Sequence, residues 1–260
     1  VPPHIGATVR GARGMADGAW QFWVDRGGTF TDVVGRRPDG SLVTEKLLSE
    51  NPGRYRDAAV EGVRRLLGLG PGEALPEGAV EAVKMGTTVA TNALLERKGD
   101  RTLLLITKGF GDLPRIGWQT RPELFALDIR LPELLHERVA EIPERLDRDG
   151  EVLTPLDEDA VRRALAEAKA DGIDAVAIAF LHAYREPRHE ARAAELAREA
   201  GFGQVSVSHL VSPLMKLVSR CDTTVVDAYL SPILRRYVDQ VADELGADEA
   251  GARLMFMQSN

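Results

Sequence analysis

The sequence predicts an α/β fold built on a mixed sheet. Three observations carry that prediction. Strand-like runs come first, in a meander over residues 20–48 with turns rich in Gly and Pro. Apolar runs then alternate with stretches of helical periodicity. One of these runs, IDAVAIAFL at 173–181, is almost continuously apolar, as a strand covered on both faces must be.

In order, WQFWV (20–24) reads as a buried strand, TFTDVVGRR (29–37) as a second and LVTEKLL (42–48) as a third, with PDGS (38–41) as the turn between the last two. Asn51-Pro52 reads as a helix opening, because Ala59, Val60, Val63, Leu66 and Leu67 share a helical face. Residues 68–78 form a Gly/Pro loop, 80–88 a strand running into a turn, and VATNALLERKG a helix that Gly99 should stop. RTLLLIT (101–107) is a strand. Residues 108–136 lack periodicity, and a long irregular segment in a compact domain is often functional. Residues 137–156 alternate around an Asp-Gly turn and read as a hairpin. Asp157 should cap a helix that Gly172 ends, followed by the strand at 173–181, a helix at 187–200 and a strand at 204–210. Residues 222–245 are helical, with Pro232 either kinking that helix or sitting in the first turn of a new one. RLMFM (253–257) is a last strand. No repeat at solenoid spacing is present.

The chain has 260 residues, a net charge of −7 and one cysteine, Cys221. The acidic balance argues against nucleic acid or an anionic membrane as partner, and no apolar run reaches the roughly 20 residues of a membrane span. A single cysteine forbids an intrachain disulfide, disfavours a thiolate metal site and suits a reducing cytoplasm. Cys221 itself reads as a small buried residue. Residues 1–18 read as a disordered extension, and the stop at Asn260 as a cut within a domain.

The stretch WVDRGGTFTD (23–32) carries the clearest chemistry. Gly27 and Gly28 can adopt positive φ and present backbone amides as an anion nest, with Thr29 and Thr31 adding hydroxyls. Asp25 and Asp32 repel phosphate unless Mg²⁺ lies between, so the set reads as a metal–phosphate site. The alternative is a tight hairpin turn with polar neighbours. The spacing is neither a Walker A loop nor a dinucleotide fingerprint. His182, His189 and Glu190 do not share one helical turn and read as a structural cluster at a strand-to-helix turn.

DRGGTFTD (25–32) resembles the first phosphate loop of the actin/hexokinase/heat-shock-70 ATPase superfamily. MGTTVATNALLERKG (85–99), TKGFGDLPRIGWQTRPELF (107–125), FLHAYREPRHE (180–190), VSPLMKLVSRCDTTVVDAYLSPILRRYV (211–238) and MQSN (257–260) extend the likeness, in order, to the hydantoinase A/5-oxoprolinase family. Arg26 is the form associated with its ATP-dependent 5-oxoprolinase branch. The resemblance implies a ribonuclease-H-like, actin-like ATPase lobe with an inserted α/β subdomain and the second lobe missing. It places the family's N-terminal domain at 19–210 and the start of its ATPase domain at 211–260.

The activity implied is ATP-dependent opening of a cyclic amide, foremost 5-oxo-L-proline to L-glutamate, with the ring carbonyl oxygen phosphorylated before water attacks. Amide resonance resists direct hydrolysis, and phosphorylation supplies a leaving group. The implied cofactors are ATP and Mg²⁺. By position, Asp25 orients Mg²⁺ and its waters, and Gly27, Gly28, Thr29 and Thr31 hold the β/γ-phosphates. Asp32 either joins them or closes the loop as a hydrogen-bond acceptor. Asp25, Arg26 and Thr29 form the catalytic set, with a surface ion pair as the alternative role of Arg26. Thr87, Thr88 and Asn92 open a helix that faces substrate or phosphate, or cap it. Arg115 and Arg121 are offered for a substrate carboxylate. A second hydrolase subunit or domain and a homo-oligomer are the expected partners. Other readings are a hydantoinase or acetone-carboxylase-type subunit, and a nucleotide-binding scaffold without catalysis.

Overall fold

A computed structural model describes residues 18–119, 123, 125–131 and 133–257. Strands β1 (Trp20–Arg26), β2 (Phe30–Arg36) and β3 (Leu42–Leu48) lead to helix α1 (Ala58–Leu67), strand β4 (Val80–Thr87) and helix α2 (Val89–Leu95). Next come β5 (Thr102–Thr107), α3 (Leu113–Ile116), β6 (Arg138–Ile142), β7 (Arg145–Leu146), β8 (Val152–Thr154) and α4 (Glu158–Ala170). They are followed by β9 (Ala175–Ala179), α5 (Arg188–Glu199), β10 (Gln204–Val207) and α6 (Ser208–Val211). Helices α7 (Leu217–Leu245) and α8 (Ala247–Ala250) and strand β11 (Arg253–Phe256) complete the order.

The chain divides into two compact units. Among the described residues, one gathers 18–96 with 233–257; the other is Arg97–Pro232.

The first unit holds a five-stranded sheet in the order β11-β4-β1-β2-β3. β1, β2 and β3 form the expected antiparallel meander, whereas β4 and β11 run parallel to β1. This is the ribonuclease-H-like arrangement. Phe22 and Val24 of β1, Val33 of β2 and Val83 and Met85 of β4 are buried with Val60 and Val63 of α1 and Val241 of α7. Alternate residues of β1 and β2 face the other way, which is why the sheet reads with period two. Helix α1 begins at Ala58, not at Asn51-Pro52. The Asp57 carboxylate accepts from the amides of Ala59 and Val60, a cap the apolar spacing alone does not reveal.

The second unit holds a parallel four-stranded sheet, β10-β9-β5-β6, with every residue of β5 and β9 buried. Leu103, Leu105, Val176 and Ile178 pack on one face, and Leu104, Ile106, Ala177 and Ala179 on the other. Burial on both faces explains the unbroken apolar runs. Asp157 and Gly172 bound α4 as expected.

Several element readings are corrected. The hairpin is only β7–β8; β6, read as its first arm, pairs parallel with β5. The strand at 204–210 ends at Val207 and turns into α6. Helix α7 starts at Leu217 and continues through Pro232. Gly99 does not stop α2, which ends at Leu95. Its hydrogen side chain is required because a Cβ there would lie 1.9 Å from the Tyr229 ring.

Candidate functional site

The parallel strands β1, β4 and β11 end side by side, Arg26 in register with Thr87 and Met85 with Phe256. The carboxyl edge of parallel strands is where α/β sheets place their ligand loops. Two segments meet there: the Gly27–Thr29 turn after β1, and the end of β4 at Thr87 with the first turn of α2 through Asn92.

The Gly27–Thr29 turn is clamped from below. The Gly27 amide donates to Phe30 O at 3.1 Å, and the Ser49 amide donates to Thr29 O at 2.9 Å. The Ser49 hydroxyl donates to Gly27 O at 2.7 Å and shares a 3.0 Å hydrogen bond with the Thr31 hydroxyl. Neither glycine has positive φ, which corrects the reason given for them from sequence. Their small size eases close approach: a Cβ on Gly27 would sit 3.0 Å from Phe30 O, and one on Gly28 would sit 3.2 Å from Asn92 Nδ2.

This geometry sorts the sequence-derived set. Gly27 spends its amide on the turn, and Thr31 is wholly buried with its hydroxyl on Ser49. Gly28 and Thr29 are exposed, and their amides meet no protein acceptor among the described residues. Asp25 and Asp32 are cross-strand partners on the open face of the sheet. Opposed like charges are unfavourable, and Lys46 relieves them by donating to both oxygens of Asp32 at 2.7 and 2.8 Å. The Asp25 carboxylate is left exposed and without an ion pair among the described residues. Gly86, its register partner on β4, leaves room beside it.

Arg26 faces the other way. It shares the core parity of Phe22 and Val24, its Nε lies 3.5 Å from Asp57 Oδ2, and its guanidinium stands 5.0 Å over the Tyr237 ring. Burial, and then the Asp57 charge, pushes the Tyr237 phenol up. Arg26 thus stands beside a buried carboxylate, where the sequence alternative was a surface ion pair.

Thr88 ties the two segments: its amide and hydroxyl both donate to Arg26 O, at 3.1 and 3.2 Å. Thr87 Oγ1 accepts from the Val89 amide at 3.2 Å, a local cap on α2. The Asn92 amide nitrogen donates to Thr88 Oγ1 at 3.4 Å and lies against Gly28. Thr87, Thr88 and Asn92 are thus brought to the Gly-Gly turn.

Arg115 belongs to the other unit, exposed on α3. Arg121 lies outside the described residues, as do residues 1–17 and 258–260.

Two contributors were missed from sequence. Ser49 sits in what reads as a loop, and no local pattern marks it as the clamp. Lys84 is opposite Trp23 and lies 4.6 Å over its ring, on the face that carries Asp25. The alternation of Val83 and Met85 around it is the signal that could have found it.

A magnesium site fits in a limited sense. Among the described residues no group of three or more His, Cys, Asp or Glu could hold a metal. Mg²⁺ binding a nucleotide commonly takes one or two carboxylates plus phosphate oxygens and waters, and Asp25 offers one open carboxylate.

In the second unit, His189 Nδ1 lies 2.8 Å from Glu144 Oε2, and Glu144 accepts from the Thr107 hydroxyl. Glu190 accepts from the Phe180 amide at 2.8 Å, the expected bond to the strand-to-helix turn, and is linked to His209 at 2.7 Å, whereas His182 Nδ1 is buried with no hydrogen-bond partner among the described residues. Arg220, fully buried, donates to Phe180 O at 2.8 Å and lies 3.6 Å from Glu190.

The chain is 39% identical to 5-oxoprolinase 1 of Arabidopsis thaliana over 95% of its own length and 22% of that protein's. It is 38% identical to 5-oxoprolinase of Saccharomyces cerevisiae, again over 95% of this chain and 22% of that protein. The crystal structure of ATP-dependent caprolactamase from Pseudomonas jessenii superposes with a TM-score of 0.76 at 31% identity, covering 92% of this chain and 35% of that one. The chain therefore spans about a fifth of the length of these curated relatives. The hydantoinase/oxoprolinase N-terminal region model matches residues 21–201 and the hydantoinase/oxoprolinase model residues 220–260, so the chain belongs to the hydantoinase/oxoprolinase family.

Proposed function

We propose that this chain holds the terminal phosphates of ATP for an ATP-dependent cyclic-amide hydrolase, with 5-oxo-L-proline as the substrate and L-glutamate as the product. The observation that carries the reading is the nearness in sequence and sheet of an open carboxylate, Asp25, to the exposed Gly28 and Thr29, whose amides meet no protein acceptor among the described residues, at the carboxyl edge of β1 and β4. Two amides and a hydroxyl receive phosphate oxygens, and Asp25 supplies the carboxylate for Mg²⁺ and its waters. Bound ATP supplies the phosphoryl group that activates the ring carbonyl.

The protein's own contribution is positional. Ser49 and Thr31 hold the turn rigid from below, and Thr88 locks it to β4. Phosphoryl transfer depends on placement and charge neutralisation, so a clamped turn suits it better than a mobile one. Further chain, in the same polypeptide or a partner subunit, contributes the adenosine contacts and the ring-opening water, and the chain alone turns over little ATP. The caprolactamase likeness supports a second reading within the same chemistry, a different lactam as substrate.

Titration calorimetry of the 260-residue chain with magnesium and a non-hydrolysable ATP analogue tests the phosphate site. Asp25→Asn is expected to weaken binding roughly tenfold or more, in line with loss of one charge-assisted contact of about 1.5–3 kcal/mol. Equal affinity of the variant and the parent would refute the assignment. Product analysis of a complete enzyme offered 5-oxoproline, hydantoin and caprolactam separates the substrate readings.

A further inference from the structure

The parallel sheet of the Arg97–Pro232 unit reverses its strand order at β5. From β5 the chain goes to β6 on one side, then returns to β9 on the other. α/β sheets take ligands in the crevice outside the carboxyl ends of strands at such a reversal. The loop leaving β5 occupies that position. In it, the amides of Gly109 (φ 92) and Gly111 both donate to Oε1 of Glu141, at 2.8 Å each. Two amides converging on one oxygen make an anion nest, and its occupant is the protein's own carboxylate, on an exposed side chain of β6. The amide hydrogen bonds, Gly111's foremost, hold the Glu141 carboxyl below its ordinary range.

The surroundings suit an anion. Lys108 adjoins the nest, Arg145 Nη2 donates to Lys108 O at 3.4 Å, and the Arg145 guanidinium lies 5.2 Å over the Phe110 ring. Gly109 and Phe110 also line a cavity of about 300 Å³. Leu113, Ile116 and Val218 give it apolar walls, and Asp112 is the one carboxylate on it among the described residues. That volume is at the small end of ligand pockets.

We propose that the Gly109–Gly111 nest and the adjoining cavity bind a small carboxylate that carries a compact apolar ring and an N–H donor, and that Glu141 fills the nest in its absence. The ligand's carboxylate takes the two amides from Glu141, whose exposed side chain moves into solvent. The ring lies against Phe110, Leu113, Ile116 and Val218, and its N–H donates to Asp112. A five-membered lactam bearing a carboxylate has all three features. The choice of ligand class rests on the cyclic-amide reading above; the nest itself does not depend on the nucleotide loop.

The test is an amide-resolved NMR titration of the ¹⁵N-labelled 260-residue chain with 5-oxo-L-proline, without nucleotide. Parent, Glu141→Ala and Glu141→Gln proteins are compared. The largest shifts are expected at Gly109 and Gly111. The dissociation constant should fall roughly tenfold in Glu141→Ala, because a tethered carboxylate competes at high effective concentration. Glu141→Gln, which keeps the shape and loses the charge, should fall between. 2-Pyrrolidinone, lacking the carboxylate, and acetate, lacking the ring, should bind Glu141→Ala at least tenfold more weakly. The same constant in all three proteins, shifts centred away from the loop, or acetate binding as well as oxoproline would each overturn the proposal. Titrating the same samples with magnesium and the ATP analogue reads the Asp25 loop separately, so failure of one site is not mistaken for failure of the other.

Discussion

Thr31 and Thr29 are two residues apart in one motif, but Thr31 lies in β2 and is wholly buried, whereas Thr29 belongs to the turn before it and is exposed. Thr31 points inward, where its hydroxyl meets Ser49, and Ser49 holds Gly27 O. Thr31→Val keeps the volume and removes one buried hydrogen bond, so a loss of about 1–2 kcal/mol is expected in urea unfolding. An unchanged midpoint would mean the hydroxyl does not anchor the turn. Cys221 was legible as a buried thiol, and its surroundings give it a definite chemistry: burial, and then the charge of Asp222, pushes it up to about 12. At pH 8 the native thiolate fraction is then roughly a thousandfold below that of an unfolded chain, so iodoacetamide should label Cys221 only in denaturant. Because the folded value lies above the unfolded one, the thiol's contribution to stability is complete below pH 9. It declines as pH climbs from 9 towards 12. Ready alkylation of the native protein would contradict both statements.

Helix α1 shows what periodicity can and cannot place. The apolar face of Ala59, Val60 and Val63 was readable, but its start was not, because the capping residue also serves another element. Asp57 caps α1 with one oxygen and lies near Arg26 of β1 with the other. Asp57→Ala removes a cap and leaves Arg26 without that anion, so about 2–4 kcal/mol should be lost in urea unfolding. Asp57→Asn, which can still cap, should lose about half as much. Equal losses would assign the whole effect to the ion pair. Helix α7 ran past Pro232 for a related reason: packing of Val225 and Ala228 before it, and of Tyr237 and Val241 after it, outweighs the missing amide.

At the scale of the molecule, the two units bury separate cores, Phe22 with Val24, Val33 and Met85 in one, Leu103 with Leu105, Val176 and Ile178 in the other. Phe22→Ala and Leu105→Ala should each remove about 3–5 kcal/mol, and each from its own unit. Hydrogen exchange read by mass spectrometry should show β1, β2 and β4 loosened by the first substitution and β5 and β9 by the second. Uniform loosening by either would mean the cores unfold as one.

The sequence by itself determined the α/β class, the meander with glycines in its first turn, the doubly covered strand at β9 and the ordered motifs that mark the family. Each of these rests on local period, turn chemistry or contiguous pattern, and so survives without knowledge of what lies opposite. Only the tertiary structure decided which members of DRGGTFTD face outward. Register and pleat sent Arg26 to Asp57 and Thr31 to Ser49, and left Asp25, Gly28 and Thr29 at the surface. The nest around Glu141 is of the same kind, because a parallel pairing of β5 with β6 brings that carboxylate to amides some thirty residues away. Contacts of long range are set by how sheets pair, and no local window of sequence contains that information.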